Sequence, residues 1–238
     1  MSGTVAGRLA VVMPALDEER SIGGVLDSLD RHLVDHVVVA DNGSRDRTAD
    51  VARSRGAQVV AVPERGYGAA CAGALENLPA DVDLVVFMDA DGADDPADLP
   101  HLIAPIRENR ADLVIGSRVL GRAQAGALTP QQRLGNRLAT FLIHRLCGHR
   151  YTDLGPFRAV RRDALERLGM QDRRYGWTVE MQLRALEHGL RVSEVPVSYR
   201  RRVGASKISG TVSGVLKAGW WILYTIWRHA PRRRRRGH

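Results

Sequence analysis

The chain has 238 residues, enough to bury a sizeable core as one α/β domain with an appendage rather than two full domains. Hydrophobic residues at 44% with aromatics at 5% fit a soluble enzyme. A net charge of +8 invites a nucleic-acid reading, but the five arginines at 232–236 leave only +3 for everything else, and no stacking motif or recognised nucleic-acid fold accompanies them; no nucleic-acid partner is expected. Cys71 and Cys147 lack metal-type spacing and read as reduced, structural thiols of a cytoplasmic protein. The start, Met1-Ser2-Gly3-Thr4, lacks the order of a signal peptide, and the longest strongly apolar stretch, 218–227, is about half of the ~20 residues that span a bilayer.

Arg8-Leu9-Ala10-Val11-Val12-Met13 reads as a first strand stopped by Pro14, after which Ile22, Val25, Leu26 and Leu29 recur at helical spacing. Between them, Pro14-Ala15-Leu16-Asp17-Glu18-Glu19 is an acidic loop at a strand's carboxyl end, a placement that helix N-terminal charge preference also explains. A second strand at 36–40 runs into Asp41-Asn42-Gly43-Ser44-Arg45-Asp46-Arg47-Thr48. Asp46 is placed to cap the next helix, which leaves Asp41 unexplained. The third strand, 58–62, is followed by Glu64-Arg65-Gly66-Tyr67-Gly68-Ala69-Ala70, whose small residues allow close approach by a ligand or by a neighbouring helix.

The fourth strand, 83–87, is an apolar run bounded by charge. It leads into Met88-Asp89-Ala90-Asp91-Gly92-Ala93-Asp94-Asp95, and Pro96 opens a helical pattern. In an extended segment residues two apart share a face, so Asp89 and Asp91 can reach one hard cation, Mg²⁺ or Mn²⁺, with phosphates completing the ligand set. A solvated acidic turn is the plainer alternative. The fifth strand, 112–116, ends at Ser117-Arg118. Strands alternating with helices predict a doubly wound, mainly parallel α/β sheet with helices on both faces and a ligand site at the carboxyl ends of the strands.

Residues 119–128, with Gly121 and Gly126 flanking Gln124, read as a mobile loop. An amphipathic helix at 131–147 carries Arg133, Arg137 and Arg145. Tyr151-Thr152-Asp153-Leu154-Gly155-Pro156-Phe157-Arg158 precedes a short helix around 164–168; another helix starts at Trp177 and carries Glu180, and 190–199 is a strand. Arg200-Arg201-Arg202-Val203-Gly204-Ala205-Ser206-Lys207 is a basic loop that suits phosphate, although a charge run more commonly marks an exposed connection. A C-terminal amphipathic helix at 211–228 places Val212, Val215, Leu216, Trp220, Leu223 and Trp227 near one side. That stripe packs on the domain or, with Trp220, Trp221 and Trp227 beside the arginines, lies on an anionic membrane surface. The expected division is a catalytic domain at 1–210, the helix at 211–228 and a disordered basic tail at 229–238.

Seven segments in one order, Pro14-Ala15-Leu16-Asp17-Glu18, Asp41 to Asp46, Gly66-Tyr67-Gly68, Met88-Asp89-Ala90-Asp91, Gly116-Ser117-Arg118, Asp153 to Arg158 and Gly204-Ala205-Ser206-Lys207, resemble the family-2 glycosyltransferases. The similarity covers roughly residues 8–210 and is to the branch with dolichyl- and polyprenyl-phosphate hexosyltransferases. The family usually has Asn-Glu at Asp17-Glu18 and often Asp-Asp-Gly-Ser at Asp41-Asn42-Gly43-Ser44, which leaves the base preference open. The transmembrane helices of many bacterial relatives are missing after this point, which leaves the acceptor open.

The resemblance implies a GT-A, Rossmann-like fold and inverting transfer of a hexose from a nucleotide sugar of the UDP-glucose or GDP-mannose type. It implies a donor site in which Pro14, Ala15, Leu16 and Glu18 hold the nucleoside and Asp41 meets uracil or guanine, joined by Gly43, Ser44, Gly68 and Ala90. Asp89 and Asp91 would bind Mg²⁺ or Mn²⁺, with Arg202 and Lys207 on the leaving nucleotide. Arg118, Arg133 and Arg137 would clamp an acceptor phosphate. Asp153 and Glu180 are the candidate bases, with capping or ion pairing as the alternative role; a polyprenyl phosphate needs no base, whereas a soluble hydroxyl-bearing acceptor does. An anionic membrane surface and a second copy of the chain complete the expected partners, and the expected location is the cytoplasm, peripheral at the inner face of the membrane.

Overall fold

The computed structural model describes residues 7–204 and 212–229, with the backbone alone for 212–218. Lys207 and the basic tail beyond His229 lie outside the described residues. Short β-branched runs form β1 (Arg8–Ala15), β2 (His36–Asp41), β3 (Gln58–Ala61) and β4 (Val82–Phe87), joined by helices α1 (Ile22–Asp27), α2 (Thr48–Ser54) and α3 (Tyr67–Leu75). There follow α4 (Leu99–Arg107), β5 (Leu113–Ala123), α5 (Pro130–Cys147), β6 (Arg158–Arg161), α6 (Arg162–Leu168), α7 (Trp177–Glu187), β7 (Val192–Tyr199) and α8 (Val212–His229).

The strands form one seven-stranded sheet in the order β3-β2-β1-β4-β6-β5-β7. All neighbours pair in parallel except β6, which runs antiparallel to both β4 and β5. Because side chains alternate across a strand, the apolar runs bury both faces. One core gathers Ala10, Val12, Val38, Val85 and Phe87 with residues of α3, α5, α6 and α7. The other gathers Leu9, Val11, Met13, Val39 and Val86 with residues of α1 and α4. The doubly wound α/β architecture expected from the alternation is therefore present.

Three local expectations are corrected. β1 does not stop at Pro14. It continues to Ala15 beside β2, with Pro14 opposite Ala40 and Ala15 opposite Asp41, although its pairing with β4 ends at Val12. The Val12 carbonyl accepts from Met88 N on the β4 side, and Pro14, two residues on, faces that same side past the end of the ladder, so its missing N–H leaves no bond unmade.

Residues 119–123 are not loop. β5 runs on to Ala123, pairing Arg122 with Ser198 and Ala123 with Tyr199 after an irregularity beyond Ser117. The third correction is β6 itself, four residues that sequence periodicity passes over because it begins and ends on arginine.

The extended β5 makes Gly121 a packing position: a Cβ there would lie 2.0 Å from the Val197 carbonyl oxygen. Backbone cannot yield cheaply at that distance, so Gly121→Ala is expected to cost about 1–3 kcal/mol in urea denaturation. A neutral effect would mean that this segment is the loop its composition suggests.

Candidate active site

The loops after β1, β2 and β4 meet at one end of the sheet. Asp17 sits at φ 50°, a left-handed conformation that Asn and Asp tolerate better than other non-glycine residues. Its N–H donates to Ser44 Oγ at 2.9 Å and its Oδ1 accepts from Arg45 N at 2.7 Å, which staples the acidic loop to the loop after β2. Glu18 N donates to Thr48 Oγ1 at 2.7 Å, and Glu18 Oε2 accepts from Ser21 at 2.9 Å. Asp41 Oδ1 accepts from Ser44 N at 3.0 Å, across Gly43 at φ 82°. Pro14, Ala15, Leu16, Glu18, Asp41, Gly43 and Ser44 are thus collected in one place.

Asn42, which the sequence reading did not single out as a site residue, locks this wall. Its Nδ2 donates to Val62 O at 3.0 Å and Glu64 O at 2.6 Å, while its Oδ1 accepts from Gly66 N at 2.9 Å. Gly68 packs against the backbone of residues 172–174. A Cβ on Gly68 would lie 2.1 Å from Asp172 O, and one on Gly66 would lie 2.0 Å from Arg173 O. The amides of Gly68 and Ala69 donate to Arg174 O and Arg173 O, so the first turn of α3 is closed by the chain itself. Close backbone packing, not a ligand, accounts for these glycines.

Asp89 and Asp91 follow the end of β4 at Phe87, so a turn, rather than an extended strand, sets their relation. Gly92 at φ 77° tightens that turn. Asp91 is buried, with Oδ1 accepting from Ala93 N at 2.8 Å and Oδ2 paired with the Arg202 guanidinium. Ala90 is buried beside it. Asp89 Oδ1 and Asp94 Oδ1 are both buried without a hydrogen-bond partner.

Burial, and then the negative charge of Asp91, push the Asp89 carboxyl up to about 7, while Arg202 and the nearby Tyr67 hydroxyl oppose the rise. Burial followed by the charges of Asp89 and Asp91 raises Asp94 as well. Among the described residues no group of three or more His, Cys, Asp or Glu side chains is arranged to hold a metal ion. The orphaned Asp89 oxygen beside Asp91 nevertheless fits a hard cation whose remaining ligands are phosphate and water oxygens.

The basic loop after β7 is laced onto this turn. Val203 N donates to Asp91 O at 2.9 Å, Arg200 N donates to Ala93 O at 2.7 Å, and the Arg200 side chain pairs with Asp95. Arg118 is held in a bidentate pair by the fully buried Asp153, Nε to Oδ2 at 2.8 Å and Nη2 to Oδ1 at 2.7 Å, and lies 5.0 Å from the centre of the Tyr199 ring. Burial alone would lower the Arg118 pKa, but the bond to Asp153 and its charge reverse the direction.

Neither candidate base is free. Asp153 also accepts from Arg118 N and Leu154 N, both at 2.8 Å. Glu180 accepts from Gln171 N, Asp172 N and Arg184 Nε, and lines a separate depression with Trp221 and Arg228. Capping and ion pairing, the alternative role, describe both carboxylates in this structure.

Arg158, also missed, is fully buried; Nη1 donates to Thr178 O at 2.8 Å and Nη2 to Gly155 O, tying the loop after Asp153 to the start of α7.

Two clefts adjoin the carboxylates. One of about 320 Å³ is lined by Asp89, Arg118, Tyr199 and Arg202 together with Leu154, Pro156, Tyr175 and Ile222. A second of about 300 Å³ brings Arg118, Arg133 and Arg137 together with Asp153. Arg118, Gln132 and Asn136 line both.

A mostly parallel sheet with the loops after β1, β2 and β4 gathered at its carboxyl ends, a buried acidic turn and a facing basic loop define a GT-A glycosyltransferase. The chain belongs to glycosyl transferase family 2, whose description matches residues 10–169. It is similar to an uncharacterized glycosyltransferase of Mycobacterium tuberculosis (strain H37Rv), 41% identical over 215 residues that cover 88% of this chain and 94% of that protein. It is 33% identical over 244 residues to an undecaprenyl-phosphate mannosyltransferase of Micrococcus luteus, covering 92% of this chain and 96% of that one. The fold is shared with a glucosyl-3-phosphoglycerate synthase from Mycobacterium tuberculosis crystallised with Mn²⁺, UDP and glucosyl-3-phosphoglycerate. That match has a TM-score of 0.76 at 24% identity, over 96% of this chain and 81% of that one.

The raised Asp89 has a consequence for stability. The folded protein keeps this proton up to about pH 7, whereas the unfolded chain releases it near the ordinary Asp value of about 4. The group's contribution is therefore fully present below about pH 4 and is lost as pH rises through about 7. Asp89→Asn is expected to raise the Tm of the cation-free protein at about pH 8 and to flatten its decline across that window, read by circular dichroism.

Proposed function

We propose that the protein is a metal-dependent, inverting hexosyltransferase that moves a hexose from a nucleotide sugar of the UDP-glucose or GDP-mannose type to a polyprenyl phosphate. The observation that carries this reading is a cleft lined both by Asp89, Arg118 and Arg202 and by Leu154, Pro156, Tyr175 and Ile222. A lining that combines guanidinium groups with apolar walls suits an acceptor with a phosphate head and a hydrocarbon tail. The adjoining cleft supports it, because three arginines, Arg118, Arg133 and Arg137, line it with one carboxylate, Asp153, and so retain a positive excess for an anion. The similarity to an undecaprenyl-phosphate mannosyltransferase points the same way.

In this reading Pro14, Ala15, Leu16, Glu18, Gly43 and Ser44 hold the nucleoside, and Asp41 accepts a hydrogen bond from a ring N–H of uracil or guanine. Asp89 and Asp91 hold Mg²⁺ or Mn²⁺, which supplies charge neutralisation at the donor diphosphate. Arg202, now paired with Asp91, exchanges that carboxylate for the diphosphate, and with Lys207 of the same loop it offsets the charge of the departing nucleotide. An acceptor phosphate oxygen attacks the anomeric carbon as the bond from that carbon to the donor diphosphate oxygen breaks.

The phosphate is already ionised at neutral pH, so no side chain need take a proton. The full engagement of Asp153 and Glu180 in local bonds fits such an acceptor better than a hydroxyl. No helix among the described residues is long and apolar enough to cross a membrane. Peripheral attachment at the inner face of the membrane completes the proposal.

The test is transfer of labelled hexose from UDP-glucose and from GDP-mannose to undecaprenyl phosphate in detergent. Arg133→Ala is expected to lower kcat/KM for the lipid phosphate about tenfold or more. Asp153→Asn, which loosens Arg118 without removing a base, is expected to raise KM while sparing most of kcat. The proposal fails if Asp153→Asn abolishes turnover and the enzyme ignores polyprenyl phosphate but glycosylates a soluble alcohol.

A further inference from the structure

Two amphipathic helices leave apolar side chains in water beside the cleft. On α5, Leu134, Leu138 and Phe141 recur at i, i+4 and i+7 and are 69%, 46% and 57% exposed, while Ala139 and Ile143 are buried. On α8, Trp220, Leu223 and Trp227 recur at i, i+3 and i+7, and both tryptophans are at least 70% exposed. The two helices pack on each other, and residues of both line the cleft that contains Asp89, Gly135 and Asn136 from α5, Gly219 and Ile222 from α8. The membrane-facing stripe expected on α8 thus has a counterpart on α5, a helix that the sequence reading assigned only to phosphate.

Charge selects among the occupants. Neither helix contains an Asp or Glu, whereas α5 carries Arg133, Arg137 and Arg145, α8 carries Arg228, and five arginines follow at 232–236. A second copy presenting the same face would bring like charges together, while an anionic lipid surface matches both the basic and the apolar components. Tryptophan is favoured at such an interface because its ring is apolar and its N–H polar.

We propose that the exposed rows of α5 and α8 form one docking surface for an anionic phospholipid membrane, with the cleft between the helices opening at the headgroup level. The surface deepens the polyprenyl-phosphate reading, because it would deliver a membrane-embedded acceptor to Arg118. Its test can fail separately from that reading.

Co-sedimentation with phosphatidylcholine vesicles, with and without phosphatidylglycerol, would compare wild type, the triple variant Leu134→Ser, Leu138→Ser, Phe141→Ser, and a chain lacking residues 230–238. Wild type is expected to bind the phosphatidylglycerol vesicles and to weaken as salt rises. The triple variant is expected to lose about tenfold or more in affinity, with an unchanged circular dichroism melt and unchanged turnover in detergent. The shortened chain is expected to retain binding that depends on the α5 residues. Equal binding by the triple variant and wild type, or complete loss on removing 230–238 alone, would overturn the surface. So would a solution dimer that the triple variant dissociates without any vesicle binding. Loss of the surface with lipid-phosphate turnover intact in detergent would leave the acceptor reading standing; vesicle binding as expected without such turnover would support the surface and refute the acceptor.

Discussion

Asp91 and Asp94 are buried at the carboxyl end of β4, Asp89 is half-buried with its Oδ1 out of solvent, and the neighbouring structure is arranged around their charge. Burying like charges together is unfavourable unless each finds a proton, a cation or donors. Asp91 has Arg202 and a backbone amide; Asp89 and Asp94 are held toward their protonated forms. The basic loop after β7 crosses the acidic turn because main-chain bonds to Asp91 and Ala93 fix it there. Such a site sacrifices stability in the cation-free protein, and in the proposed function it gains a place for a cation and a diphosphate.

The proposed acceptor side follows from a second buried carboxylate. Asp153 is enclosed by Arg118 and two backbone amides, so its charge serves to aim a guanidinium. Arg118 in turn stands between two clefts, one shared with Asp89 and the other with Arg133 and Arg137. In the proposed reading, donor chemistry and acceptor binding therefore share one wall. The helices that complete it, α5 and α8, are also those with apolar side chains in water.

Much of the sheet was legible because buried parallel strands write themselves as continuous apolar runs, as in Val37-Val38-Val39-Ala40 and Leu84-Val85-Val86-Phe87. β6 was not legible: Arg158-Ala159-Val160-Arg161 is too short for periodicity, and its burial depends on β4 and β5 closing over it. The end of β5 was hidden by Gly121, which packs on Val197, and Arg122, which pairs with Ser198, because these β7 residues lie far along the chain. In the site, Asp89, Asp91 and Arg202 could be named from motif and order, but the turn that joins them could not be derived from an alternating strand. Gly68 shows the opposite limit. A small residue near a ligand loop has the same letter whether a diphosphate or the Asp172 carbonyl approaches it, and only the packed structure distinguishes them.

The central claim is that the acidic turn is a site for a cation and a nucleoside diphosphate. Calorimetric titration of UDP and of GDP, with Mn²⁺ and then with excess chelator, tests it most directly. One of the two nucleotides is expected to bind in the presence of Mn²⁺, with chelation or Asp91→Asn weakening it about tenfold or more. Equal binding in chelator, or binding confined to adenine nucleotides, would contradict it.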